Sequence, residues 1–387
     1  MRFEFSTASR ILFGPGTLTE TRAALHEQKA RKLLIVHGAN AARATPLVGM
    51  VRDAGFEARL FSVPHEPTTA LVSDGVRAAR EAGCDGVIGF GGGSVIDAAK
   101  AIAGLTTNPG ELHDYLEIIG HGRSLTNPAL PWIAIPTTAG TGTEVTRNAV
   151  IISPEHRLKV SLRSPFLLPR LAIVDPDLTR DLPPSLTAAT GLDALTQLIE
   201  PYVCNRANPV TDGLCVEGIG RVARSLRRAF ENGGSDAAAR EDMALASLFG
   251  GLALANAGLG AVHGFAVPVG GMFPHAPHGA VCAALLPQVI QVNLRALRQR
   301  DPDSESLQRY DRVARILTGS EKASAEDGAA WISELCSDLK IPRLGFHGIT
   351  AADAPTLAQN AARASSMKPN PVELTPDELS EILHAAI

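Results

Sequence analysis

The chain has 387 residues, 45% of them apolar and 20% charged, a balance that excludes a disordered or fibrous protein and leaves room for two domains with their own cores. Its 40 acidic and 36 basic residues give a net charge of −4 and are scattered without long runs, so nucleic acid and anionic membranes are excluded as partners and a small molecule is expected. No apolar stretch approaches the roughly 20 residues needed to cross a bilayer, and the opening MRFEFSTASRILFG lacks the h-region and cleavage site of a signal peptide, so a cytoplasmic location is expected.

In chain order, the first half alternates short β-branched runs with helical patterns. KLLIVHG (32–38), ARLFSVP (58–64) and GVIGFGG (86–92) read as strands, with helices near 43–54, 70–83 and 94–105 between and after them. That alternation predicts a parallel sheet covered on both faces, to which 132–137, 148–153 and 171–176 add further strands. The stretch between Thr106 and Pro131, rich in Asn, Pro and Gly, is expected to wrap the edge of the lobe. From about Leu182 the rhythm changes to Ala- and Leu-rich segments of 3.6-residue period at 208–231, 238–258, 281–298, 304–317, 324–338 and 351–365. The fold class is therefore α/β followed by all-α, with Pro176, Pro183 and Pro184 marking a boundary near residue 180. Five cysteines, Cys84, Cys204, Cys215, Cys282 and Cys336, are odd in number and contain no CxxC, which predicts buried free thiols.

Three segments carry chemistry. Gly91, Gly92, Gly93 and Ser94 stand between a strand and a helix, where glycines let backbone approach a pyrophosphate and the helix N-terminus offers free N–H groups; a tight structural turn is the alternative. PTTAGTGTEVT (136–146) offers hydroxyls to phosphate, ribose or amide groups, though a Thr/Gly loop by itself is weak evidence. In the second half Asp193 and Gln197 are one helical turn apart, and AVHGFAVPVGGMFPHAPHGAV (261–281) supplies His263, His275 and His278 in a Gly/Pro-punctuated segment. One carboxylate and two imidazoles suit Fe(II) or Zn(II), but isolated histidines are more often surface or hydrogen-bonded residues, and spacing alone leaves both readings open.

FGPGTL, FGGGSVIDAAKAIA, IPTTAGTGTEVT, VDPDLT, GLDALTQLIEP and VHG…PHG, in this order and spacing, resemble the iron-containing (group III) alcohol dehydrogenases of the dehydroquinate synthase-like superfamily over nearly the whole chain. The resemblance implies a Rossmann-like lobe over 1–180, a helical metal and substrate lobe over 181–387, a cleft between them, and a homodimer. It implies hydride transfer between NAD(P) and a small alcohol or aldehyde, aided by Fe2+ or Zn2+. Carried over by position, cofactor contacts fall on Gly91 to Ser94, Asp97, Thr137, Thr138, Thr141, Thr143, Lys159 and Leu178, and the metal ligands on Asp193, Gln197, His263 and His278.

Three positions depart from the family pattern. Gln197 stands where the family has a histidine, exchanging a nitrogen for a weaker neutral oxygen donor. Val267 occupies the place of a proton-relay histidine, for which His275 is the substitute candidate. The first Rossmann strand ends in VHGAN, with Gly38 in place of the acid that binds ribose hydroxyls, so Asn40 and Arg43 are free to meet a 2′-phosphate and NADP is favoured. Two alternatives follow from these departures: a metal-independent reductase of a carboxylated substrate resembling maleylacetate reductase, and a non-catalytic dinucleotide-binding protein.

Overall fold

Runs such as LLIVH and VIGFG are apolar on both faces, and strands of that kind are stable only at the centre of a covered sheet. In the computed structural model, which describes residues 2–28 and 30–387, they form such a sheet. The elements are β1 (Ile11–Phe13), α1 (Thr21–Gln28), β2 (Lys32–His37), α2 (Thr45–Asp53), β3 (Glu57–Ser62), α3 (Thr69–Glu81), β4 (Gly86–Gly91), α4 (Gly93–Thr106), α5 (Leu112–Tyr115), β5 (Trp132–Pro136), β6 (Asn148–Ser153), β7 (Leu158–Arg163) and β8 (Leu171–Val174). Six strands pair in the order β1-β8-β5-β4-β2-β3, all parallel. The apolar side chains of β4 and β2 face α4 on one side of the sheet and α2 on the other.

Residues 148–153 are a strand but do not join this sheet. β6 pairs antiparallel with β7, which the sequence reading missed, in register from Asn148 opposite Arg163 to Ser153 opposite Leu158. Four residues between them permit only a hairpin, because a parallel partner needs a crossover of a dozen residues or more. β1 was also missed, being three residues long. The stretch 106–131 contains the short helix α5 and is otherwise irregular.

The helices of the second half are α6 (Pro184–Val203), α7 (Pro209–Asn232), α8 (Ala237–Asn256), α9 (Ala261–Met272), α10 (His278–Arg300), α11 (Glu305–Thr318), α12 (Ala325–Asp338), α13 (Ala354–Arg363) and α14 (Pro376–Ala386). The Gly/Pro-punctuated segment 261–281, to which the sequence reading assigned no element before residue 281, begins with α9, which is helical through Gly264 and Pro268 and almost wholly buried. Tertiary packing overrides the local cost of Gly and Pro there. A Cβ at Gly264 would lie 2.7 Å from the Met367 Cε, so the glycine admits that side chain. α10 corrects a second expectation, since it is long and apolar enough to pass as a membrane span, with a mean hydropathy of 1.4. Because 78% of that window is buried inside the protein, its apolar length is accounted for by the core.

By internal packing the chain forms two compact units. One comprises Ser6–Thr138 and Gly142–Thr179, and the other Arg180–Ile387 with Ala139–Thr141 and the chain before Ser6. In the second unit Gly140 sits against Thr190 so tightly that a Cβ would fall 2.6 Å from the threonine Cβ.

In the sheet unit a buried polar knot ties α4 to the loop after β5. Lys100, wholly buried, reaches the Thr143 carbonyl (2.9 Å) and hydroxyl (3.0 Å), the Thr146 hydroxyl (2.9 Å) and the Asn148 carbonyl (2.7 Å), with Asp97 3.6 Å away. Glu144 is buried beside this knot, and burial pushes its carboxyl up to about 7 despite its own backbone N–H and the Lys100 charge. The unfolded chain ionises near 4.5, so between these values the folded protein holds the extra proton and stability falls as pH rises. Glu144→Gln is expected to remove that slope, gaining at most about 3 kcal/mol at pH 8 and little at pH 4.5. Urea unfolding of both proteins at the two pH values measures it.

Candidate active site

Asp193, Gln197 and Glu200 project from one face of α6 at i, i+4 and i+7. α6 is buried along almost its whole length, so none of the three reaches bulk water and each must find its partner inside. Glu200 meets the start of α9. Its Oε1 accepts from the Val262 N–H at 2.7 Å, while Asn370 Oδ1 accepts from the Ala261 N–H at 3.1 Å, so two side chains from elsewhere in the fold cap a helix whose N-cap, Gly260, has none to offer. The other Glu200 oxygen, Oε2, lies 2.6 Å from His263 Nδ1. An imidazole donating from Nδ1 to a carboxylate presents its Nε2 lone pair on the opposite side.

That Nε2 is 3.5 Å from Asp193 Oδ1, and His278 Nε2, from the first residue of α10, is 3.8 Å from the same oxygen. One helical turn beyond His278, the Cys282 Sγ lies 3.7 Å from His278 Nε2 and 4.0 Å from His263 Nε2. Close approach of α10 to α6 depends on Gly279, where a Cβ would sit 2.2 Å from the Ala189 carbonyl oxygen. Asp193, His263, His278 and Cys282 thus bring four donor atoms within 4.8 Å of one another.

The donor set fits a divalent cation. Asp193 Oδ1 is buried and has no hydrogen-bond partner, a costly arrangement unless an electrophile completes it. With bonds of roughly 2.0–2.3 Å, a tetrahedron of N, O and S ligands has edges of about 3.3–3.8 Å. The four measured edges, 3.5 to 4.0 Å, are within a few tenths of an ångström of that. Burial alone would raise the Asp193 pKa, yet the His278 and His263 imidazoles and the Gln197 amide hold it below the usual carboxylate value. Burial likewise acts against a protonated His263 and an ionised Cys282, but the mutual attraction of these groups, with Glu200, leaves the imidazole pKa well above and the thiol pKa below their ordinary values. Asp193 and Cys282 are fully enclosed, and only His278, with 29% of its side chain exposed, opens to solvent.

Gln197 is placed differently from the other three expected ligands. Its side chain lies against α8, where a Cβ at Gly250 would meet its Oε1 at 3.4 Å; that oxygen is buried and has no hydrogen-bond partner. His275 is exposed in the turn between α9 and α10, outside the four-donor cluster, and Val267 is half-buried one turn after His263. Sequence reading missed Cys282 and Glu200. The signal for both was present: Cys282 repeats the i, i+4 spacing with His278, and Glu200 extends the Asp193–Gln197 face by a further turn.

In the sheet unit, β4 runs through Gly91 into α4, whose N-cap is Gly92 and carries no side-chain cap. The first N–H groups of α4 are therefore available to an anion. A Cβ at Gly91 would fall 2.6 Å from Val95 Cγ2 and one at Gly92 3.2 Å from Thr138 Cγ2, so both glycines are required by packing as well as by access. Gly93 and Ser94 begin the helix. The Thr137 N–H donates to the Gly91 carbonyl at 2.9 Å, which sets Thr137 and Thr138 beside this turn. Thr141 is half-buried in the same loop. By contrast, Thr143 and Asp97 bond to each other and to Lys100 inside the polar knot, so their hydrogen-bonding capacity is committed to the protein. Lys159, on β7, is paired with Glu66 at 2.6 Å. At the end of β2, Gly38 follows His37, Asn40 accepts from the Ala42 N–H, and the exposed Arg43 guanidinium is anchored on the Leu178 carbonyl at 2.9 Å.

Comparison with known proteins agrees with this division. Residues 8–176 match the family described as iron-containing alcohol dehydrogenase, and residues 187–387 match the C-terminal domain of the Fe-containing alcohol dehydrogenase family. The chain is 36% identical over 388 residues to alcohol dehydrogenase 4 of Schizosaccharomyces pombe, covering 99% of this chain and 89% of the relative. It is 36% identical over 392 residues to 1,3-propanediol dehydrogenase of Klebsiella pneumoniae, covering 99% and 98%. The crystal structure of a 1,3-propanediol oxidoreductase superposes with a TM-score of 0.92 at 34% identity, covering all of both chains. The protein belongs to the iron-containing alcohol dehydrogenase family. It is accordingly an oxidoreductase of that class, and membership implies a nicotinamide dinucleotide and a divalent metal as cofactors.

Glu200→Gln keeps the shape and the cap on α9 but removes the charge facing His263. Divalent-metal affinity is expected to fall about 10- to 100-fold with the circular dichroism spectrum unchanged, as read by competition with a chromophoric chelator. Equal affinity would reduce Glu200 to a helix cap. Gly279→Ala must push the start of α10 off the Ala189 carbonyl, and is expected to weaken metal binding even though it touches no donor atom.

Proposed function

We propose that the protein interconverts a small primary alcohol or diol and its aldehyde, using a nicotinamide dinucleotide as hydride carrier and a divalent cation held by Asp193, His263 and His278. The observation that carries this reading is the unpartnered, buried Asp193 Oδ1 facing two imidazole nitrogens. Such a cation supplies Lewis acidity, worth several kcal/mol at an oxygen gaining or losing charge. Glu200 fixes the His263 tautomer. His278 is the ligand on the open side and borders the path by which a substrate oxygen arrives. With valine at 267, proton exchange at that oxygen falls to water, and His275, exposed in the preceding turn, is the nearest candidate in sequence to assist.

The uncapped start of α4 at Gly92 to Ser94, with Thr137 and Thr138 beside it, is the proposed pyrophosphate and nicotinamide-amide site, to which the family resemblance adds Thr141. We assign NADP as the preferred form, because the end of β2 presents Gly38 and Asn40 rather than a carboxylate, and Arg43 holds an exposed guanidinium beside them. A homodimer in the cytoplasm completes the proposal by analogy with the family. The relatives named for 1,3-propanediol make short diols the first substrates to test.

Chelation of purified protein is expected to lower turnover by at least about tenfold, given that 1.4 kcal/mol corresponds to a decade in rate, and readdition of Fe(II) or Zn(II) to restore it. Full activity in protein shown to be metal-free by elemental analysis would favour the metal-independent reductase instead. Arg43→Ala is expected to lower kcat/KM for NADPH about tenfold while leaving that for NADH within about twofold, the loss of one charged phosphate contact. Equal effects on both nucleotides would remove the assignment of NADP.

A further inference from the structure

The four donors that converge in the helical unit include a thiol, and no role in the proposed chemistry has been assigned to it. Cys282 is wholly buried, yet it does not sit among apolar side chains alone as Cys215 does; its sulfur faces the Nε2 atoms of both His263 and His278 at 4.0 and 3.7 Å. Those two nitrogens also face the Asp193 Oδ1, and the four donor atoms lie within 4.8 Å of one another. Gln197, at the position the resemblance assigns to a ligand, turns its oxygen toward Gly250.

We propose that Cys282 is the fourth protein ligand of the metal, so that this chain holds a divalent cation with one carboxylate oxygen, two imidazole nitrogens and one thiolate sulfur. The inference rests on the metal-assisted reading above. Binding requires the sulfur as thiolate and both Nε2 atoms unprotonated, so the protons these three groups hold in the metal-free protein pass to solvent as the metal–ligand bonds form. A sulfur donor makes the set softer than an all-oxygen-and-nitrogen site and suits Zn(II) and Co(II). With four protein donors a substrate oxygen would have to enter as a fifth ligand, and His278, with 29% of its side chain exposed, is the donor that borders solvent.

The test uses full-length protein stripped of metal and titrated anaerobically with Co(II). The wild type is expected to develop an intense thiolate-to-cobalt charge-transfer band in the near ultraviolet with one equivalent bound. Cys282→Ala is expected to lack the band and to bind Zn(II) about a hundredfold or more weakly, beyond the loss typical of removing an outer-shell partner. A wild-type Co(II) complex of full stoichiometry without the charge-transfer band would overturn the ligand assignment while leaving the metal-assisted reading intact. Failure of the wild type to bind Co(II) or Zn(II) at all would overturn both. Because the band is read in the wild type, the outcome does not depend on the variant folding. A Cys282→Ala protein that keeps the band would also end the proposal.

Discussion

Asp193 Oδ1 is buried with no hydrogen bond and faces the imidazole nitrogens of His263 and His278 at 3.5 and 3.8 Å, and a buried carboxylate oxygen so placed is costly until an electrophile completes it. Much of the helical unit is arranged around that oxygen. α6 carries it into the core, α9 brings His263 with its Nδ1 already committed to Glu200, and α10 begins with His278 so that its first turn also delivers Cys282. Glycines mark where these helices had to come close: Gly279 lets α10 approach the Ala189 carbonyl, and Gly260 makes room for the Glu200 carboxylate. The arrangement is preorganised in the sense that matters for a metal, since tautomer, rotamer and approach are fixed by neighbours rather than by the ion.

Glu200 links stability to the site. One of its oxygens completes the backbone of α9 while the other orients an imidazole, so the same carboxylate caps a helix and aligns a donor. Asn370 shares the capping task and is itself held by Asn293, whose amide also bonds Tyr310 Oη. The chain of amides and hydroxyls runs through an otherwise apolar core, where each polar group has to be satisfied by another.

The sheet unit solves a separate problem. A parallel sheet ends in loops that must be held still if backbone N–H groups are to meet a phosphate, and the Asp97–Lys100–Thr143 knot does this by anchoring the threonine-rich loop to α4. The residues read as cofactor contacts therefore divide in two. Gly91, Gly92, Thr137 and Thr138 stand at the uncapped start of the helix, whereas Asp97 and Thr143 support the loop from beneath.

The order of strands and helices, the change of rhythm near residue 182 and the glycine turn after β4 were legible in the sequence, because periodicity and local turn chemistry depend on near neighbours, whereas spacing alone left open whether Asp193, His263 and His278 bind a metal. Family resemblance added the reaction class. The hairpin β6–β7, the helical state of 261–272 and the placement of Cys282 were not legible, since each depends on what packs against the segment. Pro268 reads locally as a breaker and is overruled by a surrounding core. Cys282 reads locally as one more buried thiol, and only the convergence of α6, α9 and α10 sets its sulfur beside two imidazoles. Spacing along one helix tells which side chains share a face; which faces meet is decided by the packing of residues far apart in the chain.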